Sequence, residues 1–373
     1  MTQAMSIRIF AHSWISDWNH GNAHFLRGLA RELVRMGHQV RCYEEIGGWS
    51  LTNLVQEGQI ASAAIENFHL IYPELDVRFY QRDETLPAFL DQELRYADLV
   101  LIHEWNEPEL VNEILARKQR FGFRTLLHDT HHRAYTNAKE ILRFQLHLFD
   151  GVLAFGEAIR KIYADGFGIP KAWTFHEAAD VSVFRPIDRP KQNDVVWIGN
   201  WGDEERTQEL MEFLVAPAAH LVAEHRQIVV HGVRYPDEAK ETLRRSGIKY
   251  SGYLPNLSTP EVYARSRLAL HVPRRQYANG LSGVPTIRVF EVLACGIPLV
   301  CAPWMDTEGL FRPEQDYLIA SNGERMGEML AELLDSESAC RQIANSGLET
   351  IRQHHTCRHR AEQLMEICGE IEL

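Results

Sequence analysis

The length, composition and charge of the chain exclude several classes of protein before any motif is considered. With 373 residues, 45% hydrophobic and 24% charged, it is long enough for two ordinary globular domains. A formal net charge of −12 argues against a non-specific nucleic-acid binder. The six cysteines are scattered without a C-x-x-C spacing, which is typical of reduced thiols. Because the sequence shows no signal peptide and no run of the ~20 apolar residues that span a bilayer, we expect a cytoplasmic protein.

The first predicted elements form a strand–helix–strand unit. Residues 7–11 form a short apolar strand, 25–36 an amphipathic helix that ends at Gly37, and 40–43 the start of a second strand. In folds built from such units, ligands bind at the carboxyl ends of parallel strands, so the loop after the first strand is placed at a site. The candidate contacts in this loop are His20, Gly21 and Asn22. A G-x-G-x-x-G fingerprint and a Walker-type phosphate loop are both absent from the sequence.

Three further predicted strands of the first half end in polar residues. They cover 98–102, 123–127 and 151–155. If the sheet is parallel, their ends meet at one edge, which is the main reason to expect chemistry there. The candidate catalytic residues at these ends are His103, His128, Asp129 and His131. Three interpretations of the loop 128–133 stay open: a metal site, a hydrogen-bonded structural loop, and a loop that contacts a sugar or a phosphate.

The second half begins after a polar linker at 188–194 and repeats the alternation of strands and helices. A strand at 194–198 leads into a turn that contains Asn200, and Arg206 is the nearest cation. A helix follows within 207–225, with a break predicted at Pro217.

A later strand of the second half, at 267–272, leads into Arg274 and Arg275. Arginine makes bidentate contacts with phosphate oxygens, so this turn suits a diphosphate. The alternative is a solvated basic turn.

The segment 286–301 is predicted to be a helix, a stop and a strand. Gly296 supplies the left-handed stop and Pro298 prevents the helix from continuing. Arg288 and Glu291 lie three residues apart and therefore on one helix face. Two interpretations stay open: a surface ion pair, or a site in which the carboxylate faces a ligand hydroxyl and the cation a phosphate.

The stretch Phe290-Glu291-Val292-Leu293-Ala294-Cys295-Gly296-Ile297-Pro298-Leu299-Val300 resembles the donor-binding motif of GT-B glycosyltransferases. More narrowly, it resembles the spore-maturation-protein-like group of the retaining branch, among the glycosyl transferases of group 1. The resemblance implies that Glu291 binds the ribose hydroxyls of a nucleotide sugar. It also implies that a histidine near position 128 lies close to the donor sugar. The segment 248–255 would lie under the base, with Tyr253 and Leu254 as contacts, and 175–186 would leave the first domain, with Glu177 near the cleft.

Two departures from the family pattern concern the donor sugar and the diphosphate. Many retaining GT-B enzymes carry a glutamate eight residues before the ribose-binding one, where this chain has Gly283. The usual arginine–lysine pair after the first strand of the second domain is replaced by Asn200 and Arg206. We therefore expect Arg274 and Arg288 to help neutralise the diphosphate.

The resulting prediction is an α/β protein of GT-B architecture, with two Rossmann-like domains that face a cleft. The first domain (1–186) would bind the acceptor and the second (187–350) the donor, while the C-terminal helix (351–373) would cross back to the first. The predicted function is transfer of a sugar from a UDP- or GDP-type donor to a hydroxyl of a glycan, a lipid-linked sugar or a small molecule. It would be metal-independent, retaining and without a cofactor, with no nucleic-acid partner; peripheral contact with a membrane stays open. The alternatives are a nucleotide-sugar epimerase of the same fold and a catalytically silent partner protein.

Overall fold

The computed structural model describes residues 4–371, which fold into two compact units. Unit 1 comprises the chain up to Glu177 together with the segment from Cys357 onward, and unit 2 is Ala178–Thr356. Each unit contains one parallel sheet with helices connecting its strands. The predicted α/β class with two Rossmann-like halves is therefore confirmed. The boundary between the two units, at Glu177 and Ala178, lies before the polar linker at 188–194.

Unit 1 is built on a seven-stranded parallel sheet in the order β3-β2-β1-β4-β5-β6-β7. Elements are numbered along the chain. The strands are β1 (Ser6–Phe10), β2 (Gln39–Glu45), β3 (Asp76–Tyr80), β4 (Leu99–His103), β5 (Arg124–Asp129), β6 (Gly151–Ala154) and β7 (Ala172–Thr174). The helices are α1 (Ala23–Arg35), α2 (Trp49–Gln56), α3 (Gln59–Ile71), α4 (Leu86–Leu94), α5 (Pro108–Phe121), α6 (Arg133–Thr136), α7 (Ala138–Leu142), α8 (Glu157–Lys161) and, from the end of the chain, α17 (Cys357–Glu370). A 3₁₀ turn lies at Leu146–Leu148 and a π turn at Ile162–Gly166.

The central strands of unit 1 are buried on both faces, as their near-continuous apolar sequences predict. β4 reads LVLIH and every residue in it is buried. Helix α1 packs against α17, and the Cys357 thiol lies 3.8 Å from the carbonyl oxygen of Phe25. The Arg360 guanidinium donates through Nε to the carbonyl of His176 at 2.9 Å. The C-terminal helix is thus part of the packing of unit 1.

Unit 2 is built on a six-stranded parallel sheet in the order β10-β9-β8-β11-β12-β13. The strands are β8 (Asn193–Ile198), β9 (Ile228–His231), β10 (Lys249–Tyr250), β11 (Ser266–His271), β12 (Leu299–Cys301) and β13 (Leu318–Ile319). The helices are α9 (Thr207–Leu210), α10 (Ala216–Ala223), α11 (Asp237–Arg245), α12 (Thr259–Ala264), α13 (Arg275–Asn279), α14 (Ile287–Ala294), α15 (Gly323–Asp335) and α16 (Glu337–His354). A 3₁₀ turn at Asn256–Ser258 precedes α12.

Two predicted interruptions in unit 2 take different forms. Gly296 has φ +65°, the left-handed conformation in which a helix commonly ends, and the strand β12 begins three residues later. Around Pro217 the chain instead stays helical. A π turn at Met211–Val215 joins α9 to α10, and the proline occupies the first turn of α10, where its missing N–H is tolerated.

Three strands were not identified from the sequence: β3, β7 and β13. All three lie at sheet edges or next to them in short, partly exposed segments, so their sequences lack a buried apolar run. Within residues 4–371, none of the helices has the length and apolarity that crossing a membrane requires.

Candidate functional site

Three arginines of unit 2 gather at the carboxyl ends of two neighbouring strands. β8 and β11 pair directly, and Arg206 follows the first of them while Arg274 follows the second. Arg288 lies in the first turn of α14, which leads into β12 on the other side of β11. We call Arg206, Arg274, Arg288 and Asn200 the arginine site. The topology thus brings together four residues that span 89 positions of the sequence, from 200 to 288.

Arg206 is the buried centre of the arginine site. It is 9% exposed, and its Nη2 donates to the carbonyl and side-chain oxygens of Asn200 at 2.9 and 2.5 Å. Its Nη1 donates to the carbonyl of Val272 at 3.2 Å, and the guanidinium lies 5.0 Å above the Trp197 ring. Nε is buried and has no hydrogen-bond partner among the described residues. Burial, and next the charge of Arg274, lower the pKa of Arg206, and Arg288 adds to this repulsion.

The two arginines after β11 have different surroundings. Arg274 pairs with Glu205 and lies 3.5 Å from the side-chain oxygen of Asn200. Arg275 instead pairs with Glu209 at 2.8 Å, and its side chain is 43% exposed. The solvated-turn interpretation therefore describes Arg275, whereas Arg274 joins the arginine site.

The Arg288–Glu291 pair on α14 is not a surface ion pair. Glu291 is fully buried, and the Arg288 side chain is 21% exposed. The second carboxylate oxygen of Glu291 accepts from the Asn256 side chain at 3.3 Å. Asn256 follows Tyr253 and Leu254, the predicted contacts to the base. Its hydrogen bond to Glu291 therefore links that loop to the predicted ribose contact.

Gly283, where the family pattern has a glutamate, lies next to a carboxylate from another loop. Gly283 has φ +89°, which disfavours any other residue. A Cβ atom there would lie 2.5 Å from the hydroxyl oxygen of Thr307 and 3.0 Å from the Glu308 Oε1 atom. The carboxylate of Glu308, which follows Gly283 by 25 positions in the sequence, therefore lies beside this glycine. The sequence analysis missed Glu308; the only local feature that marked it was the turn sequence Asp-Thr-Glu-Gly.

In unit 1, four imidazoles form a cluster at the carboxyl ends of the central strands. His103 and His128 are register partners on β4 and β5, and their ring centroids are 5.5 Å apart. His12, which the sequence analysis did not select, lies 5.4 Å from His103 and 4.1 Å from His20. We call these four residues the histidine cluster. The prediction that strand ends would bring His103 and His128 onto one wall agrees with this geometry.

The surroundings of His128 are buried and apolar. It packs against Phe25 and Phe175 at centroid distances of 5.9 and 5.6 Å, and burial lowers its pKa to about 3. The imidazole is therefore neutral throughout the physiological range rather than titrating near 6.5. Neither ring nitrogen has a hydrogen-bond partner among the described residues, so Asp129 does not orient it. The reason is strand geometry, because consecutive residues of β5 point to opposite faces.

Asp129 belongs instead to a buried acidic pair. Its carboxylate accepts from the Tyr163 hydroxyl at 2.7 Å and from the backbone N–H of His131 at 3.0 Å. Burial raises the pKa of Asp129 to about 6, and burial followed by the charge of Asp129 raises the pKa of Glu104. Arg133 donates to a carboxylate oxygen of Glu104 at 3.1 Å. Burial and mutual repulsion thus disfavour the state in which both carboxyl groups are charged.

The remaining candidates of unit 1 lie in three places. The His131 ring is 5.1 Å from the Trp105 ring, and Glu177 is buried at the end of the unit. Gly21 and Asn22 directly precede α1, and His20 bonds to the side chains of Ser13 and Asn22.

Two buried charges hold the loop after β1. Glu44 accepts from the backbone N–H groups of Trp14 and Ile15 at 2.8 and 2.7 Å. Arg27 donates to the carbonyl of Trp14 at 2.7 Å.

A metal site is not apparent in the described part of the chain. Among residues 4–371, no group of three or more histidine, cysteine, aspartate or glutamate side chains is arranged to hold an ion. The metal interpretation of the loop 128–133 therefore finds no support in the arrangement of its side chains.

The chain resembles one protein family and several solved structures. Residues 206–366 match the family described as "Glycosyl transferase-like". HepE of Anabaena, solved with UDP and glucose, is 13% identical and superposes with a TM-score of 0.69 over 98% of this chain and 100% of its own. Sucrose-phosphate synthase of Thermosynechococcus elongatus is 13% identical with a TM-score of 0.66, covering 98% and 99% of the two chains. An alpha-glucosyltransferase, solved with UDP and a 13-mer DNA, is 13% identical with a TM-score of 0.66, covering 98% and 100%. A comparison with curated proteins finds no match.

The fold is that of the GT-B glycosyltransferases. Residues 206–366 are a glycosyl transferase-like domain that contains three of the four residues of the arginine site. The GT-B fold is therefore confirmed, and the family match over residues 206–366 supports the predicted class of glycosyltransferase. The retaining branch, the spore-maturation-protein-like group and the roles of single residues stay predictions.

Proposed function

We propose that the protein transfers a sugar from a nucleoside-diphosphate donor, of the UDP type, to an acceptor hydroxyl. Unit 2 would hold the donor, with the diphosphate at the arginine site and the ribose at Glu291. HepE and the alpha-glucosyltransferase, which share the fold, were each solved with UDP. GDP stays the alternative donor nucleotide.

The observation that carries this proposal is the gathering of three guanidinium groups with an incomplete set of partners. Arg274 and Arg288 each repel the buried Arg206, and the two carboxylates that pair with them, Glu205 and Glu291, leave the three arginines with one excess positive charge. The buried Nε of Arg206 lacks a hydrogen-bond acceptor within the described residues. A diphosphate supplies both the negative charge and the acceptor oxygens, and arginine matches its geometry.

The same groups account for the proposed chemistry without a metal ion. Charge develops on the diphosphate as its bond to the sugar breaks. Arginines and the N-terminal amides of α14 are preorganised donors that stabilise such a charge in a site shielded from water. We propose retention of the anomeric configuration, with the diphosphate oxygen accepting the proton of the acceptor hydroxyl.

Unit 1 would supply the acceptor contacts. Its histidine cluster offers neutral imidazoles, which donate or accept hydrogen bonds to hydroxyls without carrying charge. The acceptor would be a glycan, a lipid-linked sugar or a small molecule. A nucleic-acid acceptor is disfavoured by the net charge of −12, although one protein of this fold was solved with DNA.

Calorimetric titration with UDP and with uridine tests the donor site. Arg274→Ala and Arg288→Ala should each weaken UDP binding by roughly tenfold or more while leaving uridine little changed, because a charge-assisted contact to phosphate is lost. Arg275→Ala is the matched control, since it removes the same charge next in sequence from a side chain that pairs with Glu209. Equal weakening of both ligands would mean that the arginines act through folding.

Incubation with UDP-glucose tests the reaction itself. A transferase releases UDP and, with an acceptor, forms a glycoside whose anomeric configuration is read by NMR. A new nucleotide-sugar isomer formed without an acceptor would indicate an epimerase. UDP binding without turnover across a panel of acceptors would indicate a silent partner protein.

A further inference from the structure

A buried histidine that the sequence analysis did not select lies beside the arginine site. His271 ends β11 and is 5% exposed. Its Nε2 atom lies 2.8 Å from the hydroxyl oxygen of Thr286. Its Nδ1 atom is buried and has no hydrogen-bond partner among residues 4–371. Since buried polar atoms in folded proteins are almost always paired, this nitrogen requires an explanation.

The charges around His271 favour an anion as the missing partner. Burial, and then the charges of Arg206 and Arg288, lower the pKa of His271 to about 3. Glu291 pairs with Arg288, and Cys301 is the register partner of His271 on β12, with a thiol pKa that burial raises. The imidazole is therefore neutral at physiological pH and lies near two guanidinium groups, of which only Arg288 has a carboxylate partner.

The contact with Thr286 determines what a neutral His271 can offer. When the Thr286 hydroxyl donates to Nε2, the ring proton is on Nδ1, and Nδ1 becomes a donor. Thr286 is also the N-cap residue of α14, so the N-terminus of this helix, which favours anions, begins at the same point. Each of these groups suits an anionic oxygen.

We propose that His271 binds the donor diphosphate through its Nδ1–H, with Thr286 selecting the tautomer that presents this proton. The proposal rests on the proposed function, because it assigns a further residue to the same diphosphate site. A neutral donor has a specific advantage there. Three guanidinium groups already repel one another, and a fourth cation would increase that repulsion in the free protein. An imidazole adds a directional hydrogen bond without adding charge.

Two amide substitutions separate this role from simple packing. In His271→Asn the side-chain nitrogen can occupy the position of Nδ1, whereas in His271→Gln it can occupy the position of Nε2. Calorimetric titration with inorganic pyrophosphate, UDP and uridine should show that the Gln variant binds pyrophosphate and UDP roughly tenfold to a hundredfold more weakly. The Asn variant should stay within about threefold of wild type, and uridine binding should be unchanged in both.

A second route keeps the imidazole and changes its tautomer. Thr286→Val removes the hydroxyl partner, which frees Nε2 and leaves the ring proton unspecified. We expect pyrophosphate binding to weaken severalfold, with uridine unaffected.

The results that would overturn the role of His271 are specific. A Gln variant that binds pyrophosphate as well as wild type excludes it, and so does an equal loss in the Asn and Gln variants, which would indicate packing alone. Arg274→Ala, tested in parallel, separates a failure of the role of His271 from a failure of the proposed function. If Arg274→Ala binds pyrophosphate like wild type, the diphosphate site itself is wrong. If Arg274→Ala loses binding and His271→Gln does not, only the role of His271 is wrong.

Discussion

Glu291→Gln should reduce both the stability of the protein and its affinity for the donor nucleotide, by separable amounts. The fully buried carboxylate of Glu291 pairs with Arg288. Removing one partner of a fully buried pair costs ~3–5 kcal/mol of unfolding free energy. Because 21% of the Arg288 side chain reaches solvent, we expect a smaller loss of about 2–3 kcal/mol. Loss of the charge-assisted bond to the ribose should cost ~1.5–3 kcal/mol of binding, or roughly 10- to 150-fold in affinity.

Urea unfolding measures the loss of unfolding free energy, and calorimetric titration of folded protein measures the loss of UDP affinity. Comparing UDP with inorganic pyrophosphate isolates the ribose, because pyrophosphate meets the arginines but has no sugar. The Glu291→Gln variant should lose UDP affinity while binding pyrophosphate as well as wild type or slightly better, since Arg288 has lost its carboxylate. Glu328→Gln is the matched control: Glu328 also pairs with an arginine three residues away, Arg325, but its side chain is 54% exposed. It should change the unfolding free energy by less than about 1 kcal/mol.

The interpretation of Glu291 fails if the Glu291→Gln variant binds UDP as tightly as wild type. An equal loss of UDP and pyrophosphate affinity would also contradict it, because the effect would then reach the diphosphate through Arg288. A loss of stability without any loss of UDP affinity would assign Glu291 to folding alone.

Three further predictions concern other parts of the molecule. His128→Ala should lower kcat by ~10²-fold per folded molecule, as for the loss of one preorganised contact, and a chelator should leave the wild type active; full kcat or chelator sensitivity would contradict this. Glu308→Gln should lower kcat with UDP-glucose while leaving UDP affinity unchanged, because the Glu308 carboxylate lies beside Gly283, where the family pattern has a sugar-contacting glutamate; reduced UDP affinity would exclude that role. Asp129 has a folded-state pKa raised to about 6 against ~3.9 unfolded, so its protonated form adds stability below pH ~4 that is lost as pH rises through 6. Asp129→Asn should remove this part of the pH dependence in urea unfolding, and identical profiles would refute the shift.

The sequence determined the elements whose patterns are local. Buried parallel strands are near-continuous apolar runs, so β12 was predicted with the bounds the structure gives it. Helix α14 and its stop at Gly296 followed from helical spacing and from the backbone freedom of glycine. The ends of the strands then predicted which side chains meet at one edge, and this placed His103 beside His128 correctly.

Tertiary structure decided which of those side chains act together. Asn200 and Arg274 are far apart in the sequence, and only the pairing of β8 with β11 brings them into one site. The carboxylate of Glu308 beside Gly283 and the unpaired nitrogen of His271 depend in the same way on contacts between loops and strands that no local pattern encodes.

The protonation of buried groups was likewise beyond the sequence. The usual pKa of a histidine is ~6.5, yet burial between Phe25 and Phe175 lowers the pKa of His128 to about 3. Residue type and position along a strand give the face on which a side chain lies. The cost of charging that side chain depends on how completely the surrounding elements exclude water, and that is fixed only when the whole unit has packed.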